Sequence, residues 1–296
     1  MNAKEVSILI VHYNTPGLLR QTLKGIFSSC PQCTYEVIVV DNNPGMRIKD
    51  KVQQEFPNVK VIASDSNLGF GGGMNLAMER ACGKYFFVFN PDIALFPGAI
   101  EELYRFMEKN LDVGIVGPQL LHPDRSIQNS CYRFANPMTI VYRRVPLLRS
   151  IEHAKKSVAD YLMAEWDHGQ TRDVDHLLGA AMFIRSQAIK QVGGFDPRFF
   201  IYFEDQDLCR RFWENNWRVV YHPDASIIHY HRRETAEGGF IKQLTNPLTK
   251  MQIKSAIEYY KKYKGKGNPR EQYFSKVSVS NDCSTQIKDS NFQKVI

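Results

Sequence analysis

Short, almost wholly apolar runs rich in β-branched residues alternate along the first ninety residues with stretches whose apolar positions recur every three or four. Val6-Ser-Ile-Leu-Ile-Val11, Val37-Ile-Val-Val40, Val59-Lys-Val-Ile62 and Tyr85-Phe-Phe-Val-Phe89 have the first pattern, that of strands buried on both faces. Leu18 to Phe27, Lys49 to Phe56 and Gly71 to Ala81 have helical spacing. Strands alternating with helices predict an α/β fold with a largely parallel sheet. The pattern changes from about Gly117. Residues 118–175 read as loops and aromatic pairs with a basic section holding Arg133, Arg143, Arg144, Arg149, Lys155 and Lys156. Apolar residues between those Arg pairs suit a membrane interface, and equally a helix packed on the body with snorkelling Arg. Leu177 to Ile184 is a buried run, Trp217 to His222 and Ala225 to His231 read as late strands, and Ile253 to Tyr263 as a basic amphipathic helix. Residues 266–296 are polar and aperiodic, so disorder, or folding only on a partner, is expected there.

Charge sharpens this picture. Residues 1–231 hold 25 Lys+Arg and 25 Asp+Glu, whereas residues 232–296 hold 13 and 6, which accounts for the net charge of +7. A basic tail on a neutral body suits an anionic surface or a solvated tail without a partner. No apolar run reaches the ~18 residues of a membrane span, and the N-terminus has no signal-peptide core. The chain reads as cytoplasmic, with peripheral contact at the cytoplasmic face of an anionic membrane as the role suited to its basic segments. Six scattered cysteines include Cys30-Pro-Gln-Cys33, but no second pair or nearby His completes a zinc set. Two reduced thiols near a helix end are expected.

In parallel sheets ligands bind beyond the carboxyl ends of the strands. There the chain places His12, Tyr13, Asn14, Asp41, Asn42, Asn67, Asn90 and Asp92. Asp41 suits a hydrogen bond from a pyrimidine N–H, or a helix cap. Asn67-Leu-Gly-Phe-Gly-Gly-Gly-Met-Asn75 is a glycine-rich entry to a helix, where backbone approaches closely and phosphate is favoured. It is neither GxGxxG nor a Walker A loop, which disfavours a Rossmann oxidoreductase. Pro91 ends its strand and turns Asn90 and Asp92 out of the sheet. A carboxylate there suits Mg²⁺ or Mn²⁺ with diphosphate oxygens, or an Asx turn. His229 and His231 share a strand face and suit a metal, a diphosphate or a structural role. Finally, Glu204, Asp205 and Asp207 follow an aromatic run from Phe199 to Phe203 at the start of an amphipathic helix. Apolar rings raise carboxylate pKa values toward those of a general base, and acids in a first turn also cap helices.

Val11-His-Tyr-Asn14, Val39-Val-Asp-Asn42, the glycine loop with Gly71 and Asn75, Phe89-Asn-Pro-Asp92, Gly179 to Arg185 and Gly193-Gly-Phe-Asp…Glu-Asp-Gln-Asp-Leu208 occur in an order that resembles glycosyltransferase family 2, in its rhamnosyltransferase-like branch. The resemblance spans roughly residues 5–265. It implies a nucleotide-diphospho-sugar transferase (GT-A) fold, with a mixed, mainly parallel sheet flanked by helices and a C-terminal amphipathic helix and tail. On that frame, residues 1–116 form the nucleotide-sugar half and 117–240 the acceptor and catalytic half. Residues 241–265 are the helix and 266–296 the tail. It further implies inversion at the anomeric carbon, Asp41 on the pyrimidine, Asp92 as metal ligand, Asp205 as the base and Glu204 beside it in the acceptor site. Asp207 is expected to cap the helix. Val11, Tyr13, Asn14, Asn67, Gly71, Asn75 and Asn90 are expected around the donor, and His229 or His231 at the metal. Two departures from the family pattern stand out: Asn90 replaces the first metal-motif acid, and the His-rich ending has two candidates. The expected reaction moves a sugar, L-rhamnose from dTDP-rhamnose, to a saccharide or lipid-linked saccharide of a surface glycan. The alternatives are another UDP- or dTDP-sugar (galactofuranose, glucose or N-acetylglucosamine) and a non-catalytic nucleotide-sugar-binding subunit. Nucleic acid is not expected as a partner, because a combined aromatic and basic face is missing outside the tail.

Overall fold

A computed structural model describes residues 4–29, 31–145, 148, 150–230 and 246–278. The elements run β1 (Lys4–His12), α1 (Pro16–Ser29), β2 (Tyr35–Asp41), α2 (Lys49–Glu55), β3 (Val59–Ala63), α3 (Gly69–Glu79), β4 (Gly83–Phe89), β5 (Ile93–Leu95), α4 (Ala99–Lys109) and β6 (Val113–Leu121). They continue with β7 (Ile127–Gln128), β8 (Cys131–Tyr132), α5 (Pro137–Arg144), α6 (Glu152–Tyr161), β9 (Arg172–Asp173), β10 (His176–Leu177), β11 (Ala181–Arg185), α7 (Ser186–Val192), α8 (Glu204–Glu214), β12 (Arg218–His229) and α9 (Pro247–Lys262). A further helical stretch covers residues 269–278.

The main sheet has the order β3-β2-β1-β4-β11-β6-β12-β5. β1, β2, β3 and β4 are parallel, and so are β6 and β12, whereas β11 runs antiparallel between β4 and β6. Both faces of the sheet are buried. Along β1, Ile8 and Ile10 point into one apolar cluster with Leu23, Val39 and Phe87, while Leu9 and Val11 point into another with Met74, Ile115 and Phe212. That two-sided burial is why the strands read as unbroken apolar runs. The two expected late strands are one strand, β12, whose pairing with β6 shifts register between His222 and Ser226.

The helix expected from Gly71 to Ala81 is α3, which starts two residues earlier, so that Gly71, Gly72 and Gly73 lie inside it. A Cβ on Gly73 would sit 2.8 Å from Val11 Cγ2, and one on Gly71 2.9 Å from Phe195 Cβ. These glycines let the helix lie close on β1 and on the segment before α8.

The expectation of disorder over residues 266–296 fails for 266–278, and residues 279–296 lie outside those described. Asn268 Oδ1 caps the stretch by accepting from Arg270 N at 3.0 Å, Arg270 and Asn268 both bond buried Asp175, and Tyr273 and Phe274 lie against Trp213. One aromatic pair and one buried carboxylate anchor a segment whose average composition is polar. Cys30 lies outside the described residues. Burial, with nearby Glu101 and Glu5, pushes the Cys33 thiol up to about 11, which suits an inert thiol. Among the described residues, no helix is long and apolar enough to cross a membrane.

Packing α3 on β1 through Gly73 gives a direct test. Gly73→Ala should destabilise the protein by about 1–3 kcal/mol through overpacking. Val11→Ala should recover part of that loss, so that the two changes are non-additive in denaturant titrations. Additive effects would show that the Gly73–Val11 approach is not the constraint.

Candidate active site

A cleft of about 1280 Å³ lies where β10, the turn before β11 and the start of α8 meet α5 and α6. Its wall includes Asn90, Gln128, Gly179, Glu204, Asp205 and His229, with Arg143, Arg144 and Lys155 on the α5–α6 side. Such a volume exceeds the range typical of small-molecule sites, ~300–1,000 Å³, and suits two substrates side by side.

The acids are delivered by strained backbone. Tyr202 and Phe203 both have left-handed conformations, at φ 68° and 69°. Consecutive non-glycine residues in this region cost about 1–3 kcal/mol each and cluster at functional sites. The chain is held there from outside: Phe200 O accepts from Phe70 N at 3.0 Å, in a contact so close that a Cβ on Gly69 (φ 72°) would meet Phe200 O at 2.1 Å. The turn places Glu204 and Asp205 in the first turn of α8, facing the cleft. Asp205 Oδ2 accepts from Gly179 N at 2.9 Å and Oδ1 from Gln206 N at 2.7 Å. Burial raises the Asp205 pKa against these two bonds, and burial, with the Asp205 charge beside it, raises that of Glu204 well above 4.5. Glu204 is 6% exposed and its Oε2 has no hydrogen-bond partner. The result is a proton-holding pair on the cavity wall.

Asp207 does not cap α8, as the sequence suggests; Phe203 occupies the cap position without a side-chain bond. Asp207 is wholly buried, pairing with Arg211 at 2.8 Å and with Lys262, and accepting from Tyr263 Oη at 2.8 Å. It joins α8 to α9.

Asp92 and His229 come together across β5 and β12, with Asp92 Oδ1 3.4 Å from His229 Nε2. Gln128 Oε1 lies 2.9 Å from His229 Nδ1 and fixes the ring. Asp92 Oδ1 is buried without a hydrogen-bond partner, and a carboxylate oxygen in that state beside an imidazole nitrogen fits a divalent cation. His231 lies outside the described residues. A carboxylate–imidazole cluster of Glu102, His222 and Asp224 also exists, but it does not line this cleft, and Glu102 is paired with Arg105 and His222 bonded to Thr171.

The expected donor residues divide. Asn90 lines the cleft. Tyr13 is 47% exposed, and Asn14, in a left-handed conformation, accepts from Asn43; both follow the end of β1 and do not line the cleft. The rest are structural as placed. Asp41 is wholly buried, with Oδ1 3.3 Å from His12 Nδ1 and Oδ2 accepting from Ile48 N at 3.1 Å, so it presents no surface to a pyrimidine. Burial lowers the His12 pKa, and its neutral ring accepts from Thr15 N through Nε2. Asn67 Oδ1 accepts from Asn42 and Gly69. Asn75 bonds both N and O of Phe195, at 2.8 Å each, and Gly71 and Val11 are buried in the α3 packing. These residues hold the ends of β1 and β2, the start of α3 and the segment before α8 together. Gln128 and Gly179 were not anticipated. Gln128 has no sequence signal, being defined by a two-residue strand, whereas Gly179 sits at the start of a segment already singled out.

The fold has relatives among solved structures. The structure of GalNAc-T7 with UDP, GalNAc and Mn²⁺ superposes with a TM-score of 0.58 at 13% identity, over 79% of this chain and 45% of that one. S. aureus TarS does so at 0.53 and 16%, over 77% of this chain and 37% of that one. The fold is therefore GT-A, that of nucleotide-diphospho-sugar transferases. Sequence profiles narrow the class: "Glycosyl transferase family 2" matches residues 7–151 and "Glycosyl transferase family group 2" residues 95–245. The chain belongs to glycosyltransferase family 2 and is a glycosyltransferase. It is 26% identical over 256 residues to the N-acetylglucosaminyl-diphospho-decaprenol L-rhamnosyltransferase of Mycobacterium tuberculosis, covering 77% of this chain and 76% of that protein. Rhamnosyltransferase WbbL of Escherichia coli K12 is 23% identical over 233 residues, covering 76% and 83%.

The raised pKa of Glu204 predicts a pH effect on stability. The folded state binds this proton more tightly than the unfolded state, so the associated stability is present below about 4.5 and is lost as pH rises toward the raised value. Glu204→Gln should flatten that fall in thermal midpoint. Curves of equal slope for the wild type and the Glu204→Gln variant would show that Glu204 ionises without penalty.

Proposed function

We propose that the protein is an inverting transferase that moves L-rhamnose from dTDP-rhamnose to a hydroxyl of a lipid-linked saccharide in surface-glycan assembly. The carrying observation is Asp205: a carboxylate of raised pKa, held by Gly179 N and Gln206 N on the wall of a cleft with room for two substrates. The names of the two rhamnosyltransferase relatives support the donor, and that of the mycobacterial one the acceptor class.

In this reading residues 1–116 handle the donor and 117–240 the acceptor. Tyr13 and Asn14 receive the nucleotide beyond the end of β1, and Asp41 orders the loop beneath them through Ile48 N. Asn90 faces the sugar diphosphate. Asp205 removes the acceptor hydroxyl proton as that oxygen attacks the anomeric carbon, the bond to the diphosphate oxygen breaks, and the nucleoside diphosphate departs. Glu204, whose pKa burial and the neighbouring Asp205 charge raise, stands beside the base and offers a hydrogen bond to the acceptor. Asp92 and His229 would hold a divalent cation, Mn²⁺ or Mg²⁺, which when bound neutralises charge on the leaving diphosphate.

Asp205→Asn should lower transfer by at least ~10²-fold, the scale of general-base catalysis, with donor affinity nearly unchanged by calorimetry. Normal turnover in that variant would refute the assignment. Asp92→Ala should weaken donor binding in the presence of Mn²⁺ and not in its absence; equal affinities in both conditions would remove Asp92 from the metal site. Nucleoside diphosphate release over a panel of UDP- and dTDP-sugars tests the donor, and preference for a donor other than dTDP-rhamnose would replace it.

A further inference from the structure

Beside the cleft runs a second depression, about 470 Å³, between α5 and α9. Ile140 and Val141 line it from α5, and Ile253, Ala256, Ile257 and Tyr260 from α9. Helical spacing explains the groove: Pro137, Ile140, Val141 and Arg144 share one face of α5, as do Ile253, Ala256, Ile257 and Tyr260 of α9. Three of these apolar side chains stand in solvent, Val141 at 40%, Ile253 at 46% and Ile257 at 49% exposed. Isolated exposed apolar residues are ordinary, but a lined groove of them calls for a partner.

The groove is continuous with the active site. Ile140, Arg144 and Gln252 line both depressions. At this junction the Gln252 carbonyl oxygen Oε1 is buried without a hydrogen-bond partner, and Arg144 lies half-buried with Nη1 3.5 Å from Thr249 Oγ1. Lys261 near the end of α9 and Lys264 in the turn beyond it line the groove further along, and Arg143 and Lys155 line the cleft. Passing outward from Asp205, a ligand would meet a cavity lined by carboxylates, amides and aromatic rings, then cations, then an apolar channel. From Ile253 to Lys261 the channel runs ~12 Å at the rise of an α-helix.

We infer that the α5–α9 groove binds the apolar chain of a diphospholipid acceptor, with its diphosphate at Arg144 and its saccharide in the cleft. This rests on the acceptor reading above and deepens it. The order of chemistries matches such a molecule: hydroxyls at the base, a dianion at the guanidinium, hydrocarbon on isoleucines. A bilayer surface would use the apolar residues and Lys side chains but would not require continuity with the cleft.

The test compares two acceptors without vesicles, dodecyl-diphospho-N-acetylglucosamine and its ethyl counterpart. Wild-type protein should show a KM at least tenfold lower for the dodecyl acceptor. Ile253→Asn combined with Ile257→Asn, both surface changes, should raise that KM to the ethyl value and leave kcat/KM for the ethyl acceptor within twofold. Equal wild-type KM values, or a dodecyl KM unmoved by the substitutions, would overturn the inference. So would substitutions that leave dodecyl transfer intact yet abolish co-sedimentation with phosphatidylglycerol vesicles, which would assign the groove to the membrane surface. Should wild-type protein use neither acceptor with any donor, the acceptor reading fails, and the groove is then tested by calorimetry with dodecyl and ethyl diphosphate. Chain-dependent binding lost in the double variant sustains the groove, and its absence overturns it.

Discussion

A carboxylate with no exposure, Asp207, holds the catalytic region together. Its two oxygens serve Arg211 of its own helix and Lys262 and Tyr263 at the end of α9. Removing one partner of a buried ion pair costs about 3–5 kcal/mol, because the remaining charge has no water to replace it. Lys262 also pairs with Asp196, 2.7 Å away, before the strained turn. The same small network therefore fixes where α8 starts, how α9 lies on it, and the approach of the chain to Tyr202 and Phe203. The first turn of α8 carries the reacting acids, and α9 carries one wall of the apolar groove. Both depend on this buried charge being matched.

A second constraint comes from the opposite half of the sheet. The glycines of α3 permit close packing on Val11 and Phe195, and Gly69 admits the carbonyl of Phe200. Asn75 grips both backbone atoms of Phe195, and Asn42 pins the start of α3 through Leu68 N, Asn67 and Gly69. Residues expected to touch the donor thus act one layer below it, by positioning the acid-bearing turn against the donor half. Backbone strain at residues 202 and 203 persists because these contacts over-determine the chain there.

Much of this was legible in the chain. The strands of the first half were evident because burial on both faces leaves few polar positions. Glu204 and Asp205 stood out because acids beside a run of rings are chemically costly unless used. Three helices around the acceptor region begin with Asn-Pro, at Asn136, Asn246 and Asn268, and in each the Asn side chain accepts from the chain two or three residues on. That signal marks residues 268–278 as helical start material, but composition averaged over thirty polar residues obscured it. The direction of β11 and the pairing of Gln128 with His229 had no local signature, since both depend on which segment arrives alongside.

By itself the sequence determined the alternation of elements, the family motifs and the chemical inventory: carboxylates, imidazoles and glycines at strand ends and helix starts. These follow from local periodicity and side-chain chemistry, which neighbours in space do not alter. Tertiary structure alone decided which of those groups face the cleft. Asp41 and Asn75 have the same chemistry as residues that bind ligands, yet their polar atoms are engaged by Ile48 N, His12 and Phe195 and so form structure. Asp205 reaches the cavity with a raised pKa because burial outweighs the backbone hydrogen bonds it accepts. Desolvation and hydrogen-bond saturation are properties of the packed chain, and they separate a reactive carboxylate from a structural one.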